Sequence, residues 1–229
     1  DFPLLQPEFE SVGDSESIPY NLVQSIAHDR YGFLWIGTQA GLVRYDGYHF
    51  RKFTHATQDP ASIAGNDILA IATANRGIWI STTNGLSLYE FATGRFRNFH
   101  HDPAKKDSLG SGRISALASD NEGNLWIGTE HGLGYLPANS QKFGHFRLPT
   151  QNENSLADNH VLQLLLDRDQ RLWIGSRNGL RYLHTKGKQF APGHELEINT
   201  ILTKVEVISL LHARDGKLWF GTRNHGAGW

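Results

Sequence analysis

Five tryptophans stand at near-equal intervals. Trp35, Trp79, Trp126, Trp173 and Trp219 are separated by 44, 47, 47 and 46 residues. A period of this length marks a solenoid, an array or a propeller. The fullest copy is Gly123–Leu133, which reads Gly-Asn-Leu-Trp-Ile-Gly-Thr-Glu-His-Gly-Leu. Trp126 lies between Leu125 and Ile127, and unbroken bulky residues suit a strand buried on both faces. Turn residues flank it at Asp120–Gly123 and Glu130–Gly132, so each Trp strand is expected between two hairpin turns. Gly37, Gly128, Gly175 and Gly221 follow four of the tryptophans by two residues, and Ser81 takes that place in the second unit. Glycine inside a strand marks close approach of another segment, so this position is expected to require a small side chain.

Around each Trp strand the same sequence of elements returns. A lead-in loop comes first: Ser17–Val23, Ser62–Ile68, Ser108–Ile114 and Ser155–Val161 all open on Ser followed by Ile or Leu. That pair is expected to pin the loop. The fifth copy, near Ile201–Val207, lacks the pattern. An apolar strand follows at Val23–His28, Ile68–Thr73, Ile114–Ser119, Val161–Asp167 and Val207–His212, then the turn and the Trp strand. Leu42–Tyr45, Leu86–Tyr89, Leu133–Leu136 and Leu180–Leu183 form a third strand, with recurring tyrosines at 45, 89, 135 and 182 expected in packing. A fourth carries Phe50/Phe53, Phe96/Phe99 and Phe143/Phe146. Arg51, Lys52, Arg95, Arg97, Lys142 and Arg147 lie on or beside it, and positive charge on a free edge opposes edge-to-edge pairing. The fourth strand is therefore placed outermost.

Four short strands per repeat of about 46 residues is the arithmetic of a β-propeller blade. The fold expected is all-β, a propeller of four-stranded antiparallel blades occupying residues 1–229 as one domain, with five indoles filling the wedges between blades. A β-solenoid is the competing architecture. Glu8–Val12 has the spacing of a fourth strand and is expected to complete a blade whose other strands lie elsewhere. The fifth repeat stops at Trp229 inside its third strand and the chain opens at Asp1, so part of a larger ring is expected.

The length suffices for a sizeable core. A formal charge of −1 gives no electrostatic case for nucleic acid or a membrane surface. There is no cysteine, hence no disulfide scaffold or thiol chemistry. No apolar run approaches the length of a membrane span, so any membrane attachment is expected through a segment outside this chain.

The pattern Asp-x-x-Gly-x-Leu-Trp-Ile-Gly-Thr-x-x-Gly-Leu-x-x-Tyr, carried by Asp29–Tyr45 and Asp120–Leu133, together with the Ser-Leu-x-x-Asn loops, resembles the two-component regulator propeller family. The opening Phe9–Pro19 also resembles the start of such regions. The resemblance implies a periplasmic sensor region of a membrane receptor whose output is a histidine kinase, often hybrid, or a diguanylate cyclase. It implies a homodimer in the full receptor and rings of commonly seven blades. No cofactor is implied.

Comparing the repeats with one another locates candidate functional residues. Positions that repeat serve the blade, whereas equivalent positions that vary are free to bind. In an antiparallel blade the second-to-third turn and the lead-in loop share one end. The turns carry Gln39, Asn84, Glu130 with His131, Arg177 with Asn178, and Arg223, Asn224 with His225. Tyr20, Asn66, Arg113 and His160 join them from the loops. Loops on a rigid scaffold concentrate binding groups, so this face is expected to hold a polar small molecule or a carbohydrate. Enzymatic work, as in a propeller lyase or glycosidase, needs a convergent acid and base. Glu130 with His131 is the one pair to test, and neighbours on a turn tend to diverge, so no catalytic residue is assigned. A dimerisation scaffold without ligand is the third reading. His100-His101-Asp102 lacks metal-ligand spacing, and Asp167-Arg168-Asp169 lacks the rest of a calcium loop. Neither is assigned a metal.

Overall fold

The alternation of turn residues with short apolar runs is realised as five consecutive antiparallel sheets. The computed structural model describes residues 12–14, 16–19, 22–148, 159–187, 190 and 196–229. The first blade is β1 (Val23–His28), β2 (Leu34–Thr38), β3 (Gly41–Tyr45) and β4 (Phe50–Phe53). The second is β5 (Ile68–Ala74), β6 (Gly77–Thr82), β7 (Gly85–Glu90) and β8 (Arg95–Phe99). The third is β9 (Ile114–Ser119), β10 (Leu125–Thr129), β11 (Gly132–Leu136) and β12 (Gly144–Phe146). The fourth is β13 (Val161–Leu166), β14 (Arg171–Ser176), β15 (Gly179–His184) and β16 (Asn199–Thr203). The fifth has three strands among the described residues: β17 (Val207–His212), β18 (Leu218–Thr222) and β19 (Ala227–Gly228). Strands pair in chain order within every sheet. The first strands pack side by side, β1 on β5, β5 on β9, β9 on β13 and β13 on β17. The sheets are thus propeller blades, with their first strands innermost and the charged fourth strands at the outer edge.

One expectation shifts in detail. Ile201–Thr203, read from sequence within a degenerate loop, belongs to the outer strand β16, which leaves only 204–206 to lead into β17. The expected strand at Glu8–Val12 falls, apart from the exposed Val12, outside the described residues, as do Tyr20 and the loop copy at Ser155–Asp158.

What joins the blades is the indole. Trp35 is fully buried among Ile63, Ile68, Ile78 and Ile80 of the second blade. Trp79 sits against Leu109, Ile114 and Ile127 of the third, and Trp126 against Val161, Leu172 and Ile174 of the fourth. Trp173 meets Val207 and Phe220 of the fifth. A buried indole removes up to ~250 Å² of surface from water, on the order of several kcal/mol at ~25 cal/mol per Å². Trp219 departs from the expectation that all five are sealed. It has no following blade among the described residues, is 43% exposed, and stacks on Trp229 at 5.9 Å.

The small residue two places after each Trp lies at the narrow side of the wedge. A Cβ on Gly37 would come within 2.6 Å of Ile68 Cγ2, and one on Gly128 within 2.5 Å of Val161 Cγ1. At Ser81 the hydroxyl reaches the carbonyls of Ala70 and, across the joint, Ile114. The Ser of the lead-in loops pins them as expected. Ser62 Oγ accepts from Ala56 N–H and donates to the Asp59 carbonyl, and Ser108 Oγ does the same with Asp102 and Lys105. The neighbouring Ile63 and Leu109 are buried between blades.

The buried Asp that opens the first turn has a second task. Asp29 Oδ1 accepts from the N–H groups of Tyr31 and Phe33, while Oδ2 accepts the Trp35 indole at 2.8 Å. Asp167 repeats this with Asp169, Arg171 and Trp173. Burial alone would raise the Asp167 pKa, but the hydrogen bonds from Arg171 and Trp173 and the Arg171 charge hold it below the ordinary carboxylate value. In the third blade Asn124 Nδ2 takes Asp120 Oδ2 at 2.7 Å, and the buried Trp126 indole N–H has no partner.

Two stability outcomes follow. Asp29→Ala leaves a buried indole donor and two turn N–H groups unpaired and should cost roughly 2–4 kcal/mol in chemical denaturation. Gly128→Ala forces Val161 to move and should cost about 1–3 kcal/mol. Unfolding midpoints equal to that of the parent would contradict these roles.

Candidate functional site

The second-to-third turns gather at one end of the blades because one hydroxyl folds each of them. Thr38 Oγ1 donates to the Gly41 carbonyl and accepts from Ala40 N–H. Thr82, Thr129 and Thr222 repeat both bonds, and Ser176 repeats the donation. The residue that follows must be glycine. Gly132 has φ +130°, and a Cβ there would lie 2.4 Å from the Phe146 carbonyl oxygen.

A second repeated contact brings the loops to these turns. The first turn residue donates its N–H to the carbonyl just before the inner strand: Thr83 to Asp67, Glu130 to Arg113, Arg177 to His160 and Arg223 to Glu206. Arg113 is thereby joined to Glu130, and His160 to Arg177, by backbone. Every first strand also breaks register near its start, at Val23/Ser25, Ile68/Ala70, Gly128/Thr129 in the partner of β9, Val161/Gln163 and Val207/Ser209. A bulge there adds twist and re-aims neighbouring side chains. Nothing in the residue pattern announces it.

The charges of the last three blades form one cluster. Burial lowers the His160 pKa most, Arg177 lowers it further, Glu130 and Glu206 act in the opposite direction, and Arg113 adds a lesser lowering. Arg223 Nε donates to Glu206 Oε2 at 2.7 Å. Cations and carboxylates thus alternate over this part of the face. Arg113, Arg177 and Arg223 are exposed, whereas Glu130 and His160 are half-buried.

The other candidates serve the scaffold as well as the surface. Asn66 Oδ1 accepts from His55 N–H, Asn178 Oδ1 from Lys204 N–H, and the Asn84 carbonyl faces His100 Nδ1. His225 donates its backbone N–H to Thr222. Gln39 and Asn224 are exposed on their turns. His131 Nδ1 faces the Ser111 carbonyl while the Glu130 charge acts on His160, so this pair serves different neighbours. His100 and His101 likewise turn to separate carbonyls, those of Asn84 and Leu109. Arg171 bridges Asp167 and Asp169. Tyr135, one of the recurring tyrosines, packs on Trp126 at 4.6 Å, and burial with Asp120 and Glu122 pushes its pKa up to about 12.

Sequence reasoning missed a concavity. A cavity of about 500 Å³ opens beside the third-blade turn, floored by Leu133, Phe143 and Phe146 and rimmed by His101, His131 and His145. His145 Nε2 faces the Ser108 carbonyl at 2.9 Å. Gly112 leaves room for the His131 ring at the rim, since a Cβ would lie 2.6 Å from its Nδ1. Gly110-Ser111-Gly112 was therefore the available signal.

The His160 environment has a pH consequence. Its folded pKa is below the ordinary 6.5, so the folded state binds the proton less well than the unfolded chain. Stability is complete above 6.5 and falls as pH drops through the folded value. Thermal unfolding across this window should show the loss, and His160→Gln should diminish it. Equal pH slopes in parent and variant would contradict the assignment.

The description "Two component regulator propeller" fits three stretches of the chain, residues 17–40, 108–131 and 155–178. No curated protein matches the sequence. Among solved structures, the extracellular domain of BT3049 from B. thetaiotaomicron, assigned to a hybrid two component system, aligns over 95% of this chain with a TM-score of 0.68 and 24% identity. The corresponding domain of BT4673 from the same organism aligns over 88% at 0.60 and 22%. YCF48 from Cyanidioschyzon merolae aligns over 85% at 0.60 and 11%. At these identities the likeness is one of fold. The chain covers 34% of the BT3049 domain, 31% of the BT4673 domain and 65% of YCF48. Each matched stretch runs from a lead-in loop through the Trp strand to the turn beyond, so three of the five repeats match the two component regulator propeller family.

Proposed function

We propose that this chain is the extracytoplasmic, ligand-sensing input region of a membrane receptor of the two-component or diguanylate cyclase type. It binds a polar small molecule or an oligosaccharide on the face formed by the second-to-third turns and lead-in loops. The observation that carries this reading is the contrast within each turn. The hydroxyl and glycine that fold it repeat, while the residues between them change from Gln39 to Asn84, Glu130-His131 and Arg177-Asn178. The alternating cluster of Arg113, Glu130, His160, Arg177, Glu206 and Arg223 supplies donors and acceptors for hydroxyl and carboxylate groups. The family supports a sensory role, and the fold shared with extracellular domains of hybrid two component systems supports a location outside the cytoplasm. This region carries no catalytic step in this reading; output belongs to a kinase or cyclase elsewhere in the receptor. Binding shifts output only by favouring one arrangement of two receptor chains over another, which requires the receptor to be a homodimer.

A thermal-shift screen with uronate-bearing mono- to tetrasaccharides tests the site. At least one should raise the unfolding temperature, and the Glu130→Ala/Arg177→Ala double variant should abolish that shift. A shift that survives the double variant, or none across the panel, would count against this face.

A further inference from the structure

The opposite end of the blades carries a feature of its own. In the first and fourth blades a buried Asp folds the first turn and accepts the indole N–H at 2.8 Å. The second blade has Ala74 there and a turn one residue shorter, so Ala74 pairs directly with Gly77 across Asn75-Arg76. Trp79 therefore lacks the carboxylate, and among the described residues no group takes its indole N–H. A cavity of about 960 Å³ lies at this shortened turn, between the first, second and third blades, with Trp79 in its wall.

The lining defines the guest. Tyr31 is 56% exposed and meets Phe91 edge-on at 5.2 Å. The rings stand at 80° to each other and form an apolar corner. The arginines are engaged within the protein: Arg30 lies over the Tyr31 ring at 4.8 Å, Arg76 bonds Asn139 Oδ1, and Arg97 meets Glu90 at 3.7 Å. With Glu90 and Glu122 also in the lining, three cations stand against two carboxylates, so the net charge is small and the pull on an ion weak. What it offers is an aromatic surface, amide groups at the rim and one unpaired indole donor. The volume is within the range of small-molecule sites. We infer that this cavity is a second binding site, separate from the turn face, for a neutral mono- or disaccharide. The apolar face of the sugar ring packs into the corner between Tyr31 and Phe91, and a hydroxyl oxygen accepts from the Trp79 indole.

Isothermal titration of the 229-residue chain with glucose, galactose, xylose, maltose and cellobiose tests the assignment. One or more should bind. Tyr31→Ala, at an exposed position, and Trp79→Phe, which keeps an aromatic ring but removes the donor, should each weaken that sugar about tenfold or more, the scale of one lost directed contact. The Glu130→Ala/Arg177→Ala variant should bind it unchanged, which separates this site from the turn face. Absence of binding by all five sugars would overturn the inference. Binding undiminished in both aromatic variants, or lost in the double variant, would do the same.

Discussion

Each indole is seated against the blade that follows it, and the architecture depends on that contact. A four-stranded sheet of this size has two apolar faces and cannot cover either alone. Stacking side by side covers both, and the largest side chain in each repeat, placed mid-strand, fills the gap where the sheets diverge. Trp35 and Trp126, both at 0% exposure, show the joint complete. Trp219 shows the same side chain without its cover. Where the sheets converge the demand reverses, and Gly37 and Gly128 leave room for Ile68 and Val161. Large and small residues two apart on one strand thus give the wedge its shape.

The indole is also held by its own blade. In the first and fourth blades one carboxylate closes the first turn and fixes the indole, so a polar cap and an apolar seal are one unit. The exceptions show how far this unit can vary. Asn124 competes successfully for Asp120, leaving the Trp126 donor unpaired within a well-packed interior. In the second blade the carboxylate is gone altogether, and a cavity lies at the shortened turn. The scaffold tolerates loss of the cap because burial of the ring outweighs one hydrogen bond, worth about 1 kcal/mol net.

Much of this was legible in the residues. Period, strand order, the outer position of the basic strand and the need for small residues after Trp all come from repetition, which exposes local rules five times over. The grouping of Arg113 with Glu130 and of His160 with Arg177 was legible as a shared face, because antiparallel pairing places those turns and loops at one end. The bulge near the start of each inner strand was not, since Val23, Ile68 and Val161 read as ordinary strand residues. The third-blade cavity was hidden because it depends on the side-chain directions of His101, His131 and His145 rather than on their spacing. The outer strand Asn199–Thr203 lacks the Phe pair that identifies its counterparts, and register, not pattern, places it.

Acrylamide quenching of intrinsic fluorescence tests the sealing of the blades most directly. Six tryptophans are present. The account predicts two classes, with Trp35, Trp79, Trp126 and Trp173 shielded and Trp219 and Trp229 quenched readily, and the classes merging only on unfolding. A single accessible class in the folded protein would contradict it.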